Sequence, residues 1–316
     1  MNGWIIIAAA VVAATIAGAW YCCRETFYVD RKACADPHTP MSGSQYEPYR
    51  EQTARLVDKA LELPCEDVYT VSDDGLRLHG RLFRFGADAP VELMVHGYRS
   101  MAYRDFCGAL LSAMERGHNV LLIDQRAHGE SGGQYLSFGI KEKNDCRCWI
   151  NFIISRFGSD VKIILMGLSM GAGTVLMTAG PELPDNVRGI VADSPYTSPE
   201  LIIRKVIRDR KLPQWPVFPL VALGAGLFAG FSLHSEGPVD TLRQCPVPVL
   251  LIHGDEDRFV PYEMSVENKR ACASPCELMT VKGAGHALAS YVGGEEYYRR
   301  VAEFTDAVCA EKEPML

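Results

Sequence analysis

Apolar residues recur along this chain in short runs that are separated by longer amphipathic segments. The runs over residues 91–95, 120–124 and 163–166 are typical of buried strands, because a strand covered on both faces is apolar at nearly every position. Residues 103–116 and 140–157, which lie between these runs, have the pattern of helices. The alternation continues toward the C-terminus. It predicts an α/β fold, with a mostly parallel eight-stranded sheet and helices on both faces.

The first 23 residues depart from this pattern because they contain no charged side chain. Residues 4–21 are almost wholly apolar, and Trp4 and Trp20 would lie about 24 Å apart along a helix, near the two interfaces of a membrane. A secretory signal peptide would begin with basic residues, and a core helix would not need to be apolar on every side. We therefore expect an uncleaved transmembrane helix over residues 1–23, followed by a linker over residues 24–50.

Charge and cysteine content restrict the expected location and partners. Arg24, Arg31 and Lys32 follow the apolar helix, and the positive-inside rule then places the folded domain, residues 51–316, in the cytoplasm. The net charge of −7 gives no electrostatic support for a nucleic-acid partner. The 11 cysteines show neither the spacing of secreted disulfide proteins nor a cysteine–histidine set for zinc, so we expect free thiols and no bound metal.

The strongest chemical signal is a serine between two glycines, directly after a predicted strand. Residues 167–171 are Gly-Leu-Ser-Met-Gly and match the pattern G-x-S-x-G, and the small and apolar residues 172–179 indicate a helix. A serine on a tight turn from strand to helix leaves no room for side chains two residues before and after it, which explains both glycines. The amino end of the helix favours negative charge beside the serine. This context predicts Ser169 as a catalytic nucleophile.

A second match to the same pattern, Gly-Glu-Ser-Gly-Gly at residues 129–133, lies in a different context. It comes several residues after the strand over residues 120–124, and no helical pattern follows it directly. We therefore expect Ser131 to have no nucleophilic role. His96 and His128 are likewise expected to shape their loops and not to take part in catalysis.

A serine hydroxyl needs a general base, usually a histidine, which a carboxylate orients. In the layout that places a serine on such a turn, the acid and then the histidine follow, each after a later strand. The strand over residues 250–253 leads into Asp255 and Asp257, and His286 comes shortly after the strand over residues 278–281. The order and placement predict an aspartate near residue 257 as the acid and His286 as the base.

Backbone N–H groups must also stabilise the negative charge that develops on the substrate oxygen. One such group belongs to the residue after the nucleophile, Met170. The other comes from the loop after the third strand, where residues 95–98 are Val-His-Gly-Tyr. Gly97 lets the backbone approach closely, so the amide of Tyr98 is the predicted second donor of an oxyanion hole.

These motifs together resemble the α/β-hydrolase superfamily, and within it the bacterial membrane-anchored serine hydrolases of the serine-aminopeptidase-like and esterase branch. The resemblance covers about residues 66–311 and rests on residues 96–98, 124–133, 167–171, 253–257, 260–261 and 285–286. In that family the acid lies in the pattern G-x-x-D-x-x-V-P, which implies Asp257 and not Asp255. The family's loop at the position of Ser131 is structural, which implies the same role here.

The alternation of strands and helices stops between residues 195 and 238. Within this insert, residues 220–233 are apolar and rich in glycine, but these 14 residues are too few to span a bilayer, for which about 20 are needed. The insert leaves the sheet at the edge where the serine, aspartate and histidine loops also emerge. We therefore expect a helical lid, whose side chains Leu223, Leu227 and Phe231 offer an apolar wall to an acyl chain.

The predicted function is hydrolysis of an ester or related acyl bond through the serine, histidine and aspartate and an acyl-enzyme intermediate, with no metal or organic cofactor. The expected partners are a small acyl or lipid-like substrate and a membrane. An aminopeptidase would need an acidic pocket for the substrate amine, for which the insert offers only Glu200, Asp209 and Glu236. The alternative from another class is a membrane-tethered binding protein without catalytic activity, which would need none of the three catalytic side chains.

Overall fold

An eight-stranded sheet runs through the computed structural model, which describes residues 2–34 and 36–310. The strands are β1 (Glu66–Val71), β2 (Arg77–Phe83), β3 (Val91–Val95), β4 (Asn119–Asp124), β5 (Ile163–Leu168), β6 (Val187–Asp193), β7 (Val249–Gly254) and β8 (Cys276–Val281). They lie in the order β1-β2-β4-β3-β5-β6-β7-β8. β2 pairs antiparallel with β1 and β4, and the remaining neighbours are parallel, which confirms the predicted fold class.

Helices cover both faces of the sheet. They are α1 (Asn2–Phe27), α2 (Arg50–Leu61), α3 (Ala102–Glu115), α4 (Glu142–Phe157), α5 (Met170–Thr178), α6 (Pro199–Asp209), α7 (Gln214–Gly224), α8 (Pro238–Leu242), α9 (Tyr262–Ala271) and α10 (Ala289–Cys309). Buried side chains of α4 and α5 pack on one face, and those of α2, α3 and α10 pack on the other. Strands β3, β4, β5 and β7 are buried along their whole length, as expected between two helical layers.

The position of β3 between β4 and β5 creates a crevice at the carboxyl end of the sheet. α3 follows β3 and α5 follows β5, and these two helices lie on opposite faces. The loops after these neighbouring strands therefore diverge, and ligands of open α/β sheets bind at such points. They are the two segments that the sequence predicts to carry the oxyanion donors and the nucleophile.

Between β6 and β7 the chain forms α6, α7, a π-helical turn at Ala225–Ala229, and α8, so the insert is helical. Its apolar side chains pack with the end of α1 in one buried group, which we call the insert cluster. The cluster consists of Cys23, Phe27, Val29, Ala127, Leu136, Met170, Tyr196, Ile202, Ile203, Ile207, Phe218, Val221, Ala225, Phe231, Leu233 and Val260. It therefore extends from the N-terminal helix to the residue that follows Ser169.

The N-terminal helix is longer than the sequence predicted and packs against the insert. It ends at Phe27, and Gly3–Phe27 is, within residues 2–34 and 36–310, the one helix long and apolar enough to cross a membrane. Most of its side chains are exposed, whereas Ala19, Cys23 and Phe27 are buried. These three residues are spaced four apart and lie on one face of the helix. This face packs against α7 and the π-helical turn.

The segment predicted as a linker over residues 24–50 contacts the domain in its first part, which is a correction to that prediction. The Val29 N–H donates to the main-chain carbonyl of Gln134 at 3.1 Å, and the Leu136 N–H donates to that of Phe27 at 2.9 Å. The side chains of Phe27 and Val29 are buried in the insert cluster. Burial of these apolar side chains holds the chain against the domain.

Candidate active site

Ser169 occupies the turn between β5 and α5 in a strained backbone conformation. Its φ is 54° and its ψ is −112°, outside the regions that residues other than glycine usually adopt. A side chain on Gly167 would collide with the main-chain carbonyl of Gly171, and a side chain on Gly171 would collide with that of Val95. Both glycines are therefore needed for this turn, and the serine lies at the amino end of α5.

Ser169, His286 and Asp257 form one hydrogen-bonded chain. His286 Nε2 lies 2.9 Å from Ser169 Oγ, and His286 Nδ1 lies 2.7 Å from Asp257 Oδ2. Because an ionised carboxylate only accepts hydrogen bonds, Nδ1 carries the proton and Nε2 accepts the serine hydroxyl. All three residues are buried. This arrangement allows the serine proton to pass to the imidazole while the aspartate fixes the ring.

The carboxyl group of Asp257 is held in its ionised form. Burial alone would raise its pKa, but hydrogen bonds from His253 and His286 outweigh burial and hold the pKa well below the usual range. The N–H groups of Phe259 and Val260 each donate to Oδ1 at 2.8 Å. Because these donors lie two and three residues after the aspartate, the loop after β7 folds around its own carboxylate.

His253, at the end of β7, supports this loop from within the core. Its Nε2 donates to the carbonyl of Val260 at 2.9 Å and lies 3.3 Å from Asp257 Oδ2, and its Nδ1 lies 2.6 Å from the Ser265 hydroxyl. The ring is fully buried and both nitrogens have partners. His253 is therefore part of the structure around the acid, and its position four residues before Asp257 is the sequence signal for this contact.

Asp255 has a different place from Asp257. It is exposed, and its Oδ1 accepts the N–H of Gly283 at 2.6 Å. This contact joins the loop after β7 to the loop after β8, which carries His286. Of the two aspartates, the structure brings Asp257 to the histidine, whereas Asp255 holds the two loops together.

The loop after β3 lies against Ser169. A Cβ atom built on Gly97 would be 3.6 Å from Ser169 Cβ, and the Gly97 N–H donates to Asp105 Oδ2 at 2.8 Å. Met170 is the first residue of α5, so its N–H lies at the amino end of that helix. The roles of the Tyr98 and Met170 amides as oxyanion donors stay predictions.

A sequence model described as the Alpha/beta hydrolase family matches residues 93–304, which are more than half of the chain. The chain belongs to the alpha/beta hydrolase family. The matched region begins in β3 and ends in α10, and so contains the turn with Ser169, the loop after β7 and the loop with His286. This finding confirms the family that the sequence motifs resemble.

Individual relatives and solved structures agree with this assignment. The chain is 31% identical to the uncharacterized protein YqkD of Bacillus subtilis over 61% of its own length and 64% of that protein. It resembles the Pyrococcus furiosus esterase Pf2001 with a TM-score of 0.63 and 27% identity, over 79% of this chain and 94% of the esterase. Est1E from Butyrivibrio proteoclasticus, with ferulic acid bound, has the same fold at a TM-score of 0.60 and 21% identity, over 77% and 100% of the two chains.

Ser131, in the second G-x-S-x-G match, is fully buried among main-chain groups. Its hydroxyl donates to the carbonyl of Asp124 at 2.6 Å and accepts the N–H of His79 at 2.9 Å. The hydroxyl thereby joins the end of β4 to β2. This position fits the structural role that the sequence context predicts.

His96 and His128 are buried in the loops after β3 and β4. His96 Nδ1 donates to the carbonyl of Gly97 at 2.9 Å, and its Nε2 accepts the N–H of Gln125 at 3.1 Å. Burial lowers the pKa of His128 to about 3, and the neighbouring His96 adds to this effect. Both contacts of His96 are to the main chain, which agrees with a loop-shaping role. Among the residues that the structure describes, no group of three or more His, Cys, Asp or Glu side chains could hold a metal ion.

The three side chains predicted to line a lid occupy two different environments. Phe231 is buried and packs edge-on against Phe27, with ring centroids 5.0 Å apart. Leu223 and Leu227 are 39% and 58% exposed and lie outside the insert cluster. α7 and the following turn therefore bury a face other than that of these two leucines, and the role of the three side chains in substrate binding stays a prediction.

Asp193, at the end of β6, is a residue near the site that the sequence analysis did not single out. Its main-chain carbonyl accepts the N–H of Ser169 at 2.8 Å. Its carboxyl group is fully buried, and burial raises its pKa to about 6, although Ser194 donates a hydrogen bond to it at 2.8 Å. A polar residue at the end of an apolar strand, next to the predicted nucleophile strand, was the available signal.

Proposed function

We propose that this chain is a serine hydrolase that cleaves an ester or a related acyl bond. The observation that carries the proposal is the continuous hydrogen bonding from Ser169 through His286 to Asp257, at 2.9 and 2.7 Å, on a strained turn. Strain of this kind is stored at functional sites, and packing alone requires neither the strain nor the alignment of these side chains.

The proposed reaction has two halves. The Ser169 Oγ attacks the carbonyl carbon of the substrate while its proton moves to His286 Nε2, and Asp257 stabilises the resulting imidazolium. The tetrahedral intermediate collapses when the leaving group takes that proton, which leaves the acyl group on the serine. Water then attacks the acyl-enzyme with His286 as base, and the acid product is released. The amides of Met170 and Tyr98 are the proposed donors to the oxyanion in both halves.

The contacts of the insert favour an acyl substrate over a peptide with a free amine. Glu200, an acidic candidate for binding such an amine, already accepts hydrogen bonds from Arg204 at 2.7 Å and from His234 at 2.8 Å. Asp209 is paired with Lys205. Both carboxylates are thus neutralised by side chains of the insert itself. The similarity to the Pyrococcus furiosus esterase supports the same choice.

We further propose that α1 anchors the hydrolase in a membrane, as a single span followed by the folded domain at residues 51–316. The helix Gly3–Phe27 has a mean hydropathy of 2.1, and most of its apolar side chains are exposed. Such exposure is costly in water and favourable in a lipid bilayer. Arg24 lies in the last turn of this helix and Arg31 follows it, and both favour the cytoplasmic side for the domain.

Labelling of the full-length protein with a fluorophosphonate probe tests the proposal. We expect the wild type and Ser131→Ala to be labelled and Ser169→Ala to remain unlabelled with an unchanged thermal unfolding curve. A panel of p-nitrophenyl esters and aminoacyl amides then separates esterase from peptidase activity. Labelling of Ser169→Ala equal to that of the wild type would point to another nucleophile, whereas absence of labelling in the wild type would point to a binding protein.

A further inference from the structure

The N-terminal helix and α7 cross at very short range. A side chain on Gly224 would collide with the main-chain carbonyl of Ala19, and a Cβ atom on Gly18 would lie 3.4 Å from the side chain of Leu220. Small residues at a crossing allow helix backbones to approach closely, as they do between membrane helices. The end of α1 and α7 therefore form one apolar unit, and any environment that surrounds this part of α1 also reaches α7.

The length of α1 determines how deep this unit lies. The side chains of residues 3–17 are exposed, and such a stretch is about 22 Å long as a helix. The hydrocarbon core of a bilayer is about 30 Å thick, so a span over these residues is completed by about five more residues of the described helix. Those residues, 18–22, belong to the part of the helix that crosses α7. A bilayer that α1 spans must therefore contain part of α7 in the leaflet next to the domain.

The outer surface of the insert has the composition that this position requires. Residues 212–233 contain no charged side chain. Trp215 is 79% exposed, and Leu223 and Leu227 are also exposed. Exposed apolar side chains on this scale are uncommon on a protein that is surrounded by water alone, and α7 packs against α1, whose apolar side chains are also exposed.

The residues directly before this apolar stretch are basic. Arg208, Arg210 and Lys211 are exposed at the end of α6, with Asp209 among them. Exposed basic residues next to an exposed tryptophan are typical of segments that lie at the interface between lipid headgroups and acyl chains. At such an interface the basic residues would contact lipid headgroups, and the apolar side chains that follow would contact acyl chains.

Aromatic contacts connect this unit to the candidate active site. The ring of Phe231 in the insert packs on the ring of Phe27 in α1. The ring centroids of Phe27 and Phe138 are 6.1 Å apart, and those of Phe138 and Tyr98 are 5.3 Å apart. Met170, the residue after the nucleophile, belongs to the same insert cluster. The apolar surroundings of Ser169 are therefore continuous with the part of the chain that enters the leaflet.

We infer that α7 and the π-helical turn after it are a second membrane contact, which lies in the same leaflet as the end of α1. The substrate is then an acyl ester held in that leaflet, whose acyl chain stays in lipid while its ester group reaches Ser169 at the interface. This inference rests on the proposed hydrolase activity and membrane anchor. It adds a docking surface, whose occupant is the lipid leaflet, and a class of substrate.

Tryptophan fluorescence of the full-length protein in phosphatidylcholine–phosphatidylglycerol vesicles tests the contact. The chain has four tryptophans, and Trp149 is fully buried in the core. The variant Trp4→Phe/Trp20→Phe leaves Trp149 and Trp215, and adding Trp215→Phe to it gives the matched control. We expect brominated lipids to quench the first variant and to leave the control unchanged. Absence of this difference in vesicles whose protein resists a carbonate wash would overturn the inference while leaving the anchor intact.

Activity gives a second, independent measurement. We expect Trp215→Ser to lower the hydrolysis of a long-chain ester in vesicles several-fold and to leave that of a soluble butyrate ester unchanged. Phe85→Ser is the matched control, because Phe85 is a 63% exposed aromatic residue that follows β2, at the opposite end of the parallel strands. Equal effects of the two substitutions on the vesicle ester would overturn the inferred substrate class. If the wild type hydrolysed neither the vesicle ester nor the soluble butyrate ester, the proposed function itself would be contradicted.

Discussion

The guanidinium group of Arg99 donates hydrogen bonds to the main-chain carbonyl of Tyr28, from Nη2 at 2.6 Å and from Nε at 3.1 Å. Nη2 also donates to the carbonyl of Glu25 at 2.9 Å, and the adjacent Tyr98 hydroxyl donates to that of Thr26 at 2.9 Å. The last carbonyls of a helix have no partners within the helix, so these donors cap the end of α1. The N-terminal helix is thereby joined to the loop that we propose to supply an oxyanion donor.

This connection predicts that Arg99 positions the loop after β3, residues 96–101, which we call the oxyanion loop because we propose that it supplies an oxyanion donor. Arg99→Ala should lower kcat on a soluble ester by about tenfold or more with little change in KM, since small displacements of catalytic groups cost up to about 100-fold. Arg99→Lys should restore part of the loss, because it keeps the charge but not the fork of donors. Steady-state kinetics of the full-length protein in detergent measure both constants.

Arg31→Ala provides the control for this prediction. Arg31 also ties the N-terminal segment to the domain, through a hydrogen bond of 2.6 Å to the carbonyl of Gly133, but it does not contact the loop after β3 in the described contacts. We expect its kcat to stay near that of the wild type. Equal losses in the two alanine variants would mean that Arg99 acts only by holding the segment in place.

The two aspartates after β7 should differ widely in their effect on activity. Asp257→Asn removes the carboxylate that fixes the His286 tautomer, and we expect kcat to fall by about 10⁴, the magnitude that loss of the orienting carboxylate costs in serine proteases. Asp255→Asn only weakens the contact with Gly283 and should cost much less. The rate of fluorophosphonate labelling measures the difference. The opposite ranking would move the acid to Asp255.

The buried carboxyl of Asp193 predicts a pH dependence of stability. Burial raises its pKa from 3.8 to about 6, so the folded state binds this proton more tightly than the unfolded chain. The contribution of this group to the free energy of unfolding is fully present below about pH 4, and about 3 kcal/mol of it is lost as the pH rises to about 6. Asp193→Asn should remove this loss. The free energy of unfolding of the variant, relative to that of the wild type, should therefore rise by about 3 kcal/mol between pH 4 and 7. Asp255→Asn, at an exposed position, is the control. If the free energies of unfolding of Asp193→Asn and the wild type differed by the same amount at every pH, the raised pKa of Asp193 would be contradicted.

The elements around Ser169 could be predicted from the sequence because their signals are local. The two glycines beside the serine, and the loops after β7 and β8 that carry Asp257 and His286, lie at strand ends that the apolar pattern marks. Their convergence follows from the parallel sheet, since the carboxyl ends of parallel strands meet at one edge. For these residues, order along the chain was sufficient to indicate proximity in space.

The packing of α1 and the insert could not be predicted in the same way. Residues 215–229 are apolar on all sides, so periodicity does not indicate which face is buried, and it did not show that Leu223 and Leu227 are exposed whereas Phe231 is buried. Arg99 contacts residues more than 70 positions earlier in the chain, through their main-chain carbonyls. A contact with main-chain carbonyls leaves no complementary residue type in the sequence, which is why this connection was not found.

Two glycines in the insert allow the contact between α1 and α7 to be tested alone. A Cβ atom on Gly224 would collide with the Ala19 carbonyl and lie 2.8 Å from Cys23 Cβ, whereas one on Gly226 would meet nothing within 4 Å. Alanine favours a helix over glycine by up to about 1 kcal/mol at either position, so this intrinsic effect is similar in the two variants. Any difference between them reports the displacement of α1.

Gly224→Ala should destabilise the protein by about 1–3 kcal/mol, the usual cost of overpacking, whereas Gly226→Ala should be neutral or slightly stabilising. Because the end of α1 is bound to the oxyanion loop through Arg99, the displacement should also lower kcat on a soluble ester in Gly224→Ala only. Thermal unfolding and steady-state kinetics in detergent measure the two effects. A loss of stability without a loss of kcat would show that the helix crossing supports the fold but does not position the loop. Identical behaviour of the two variants would mean that α1 is only a tether.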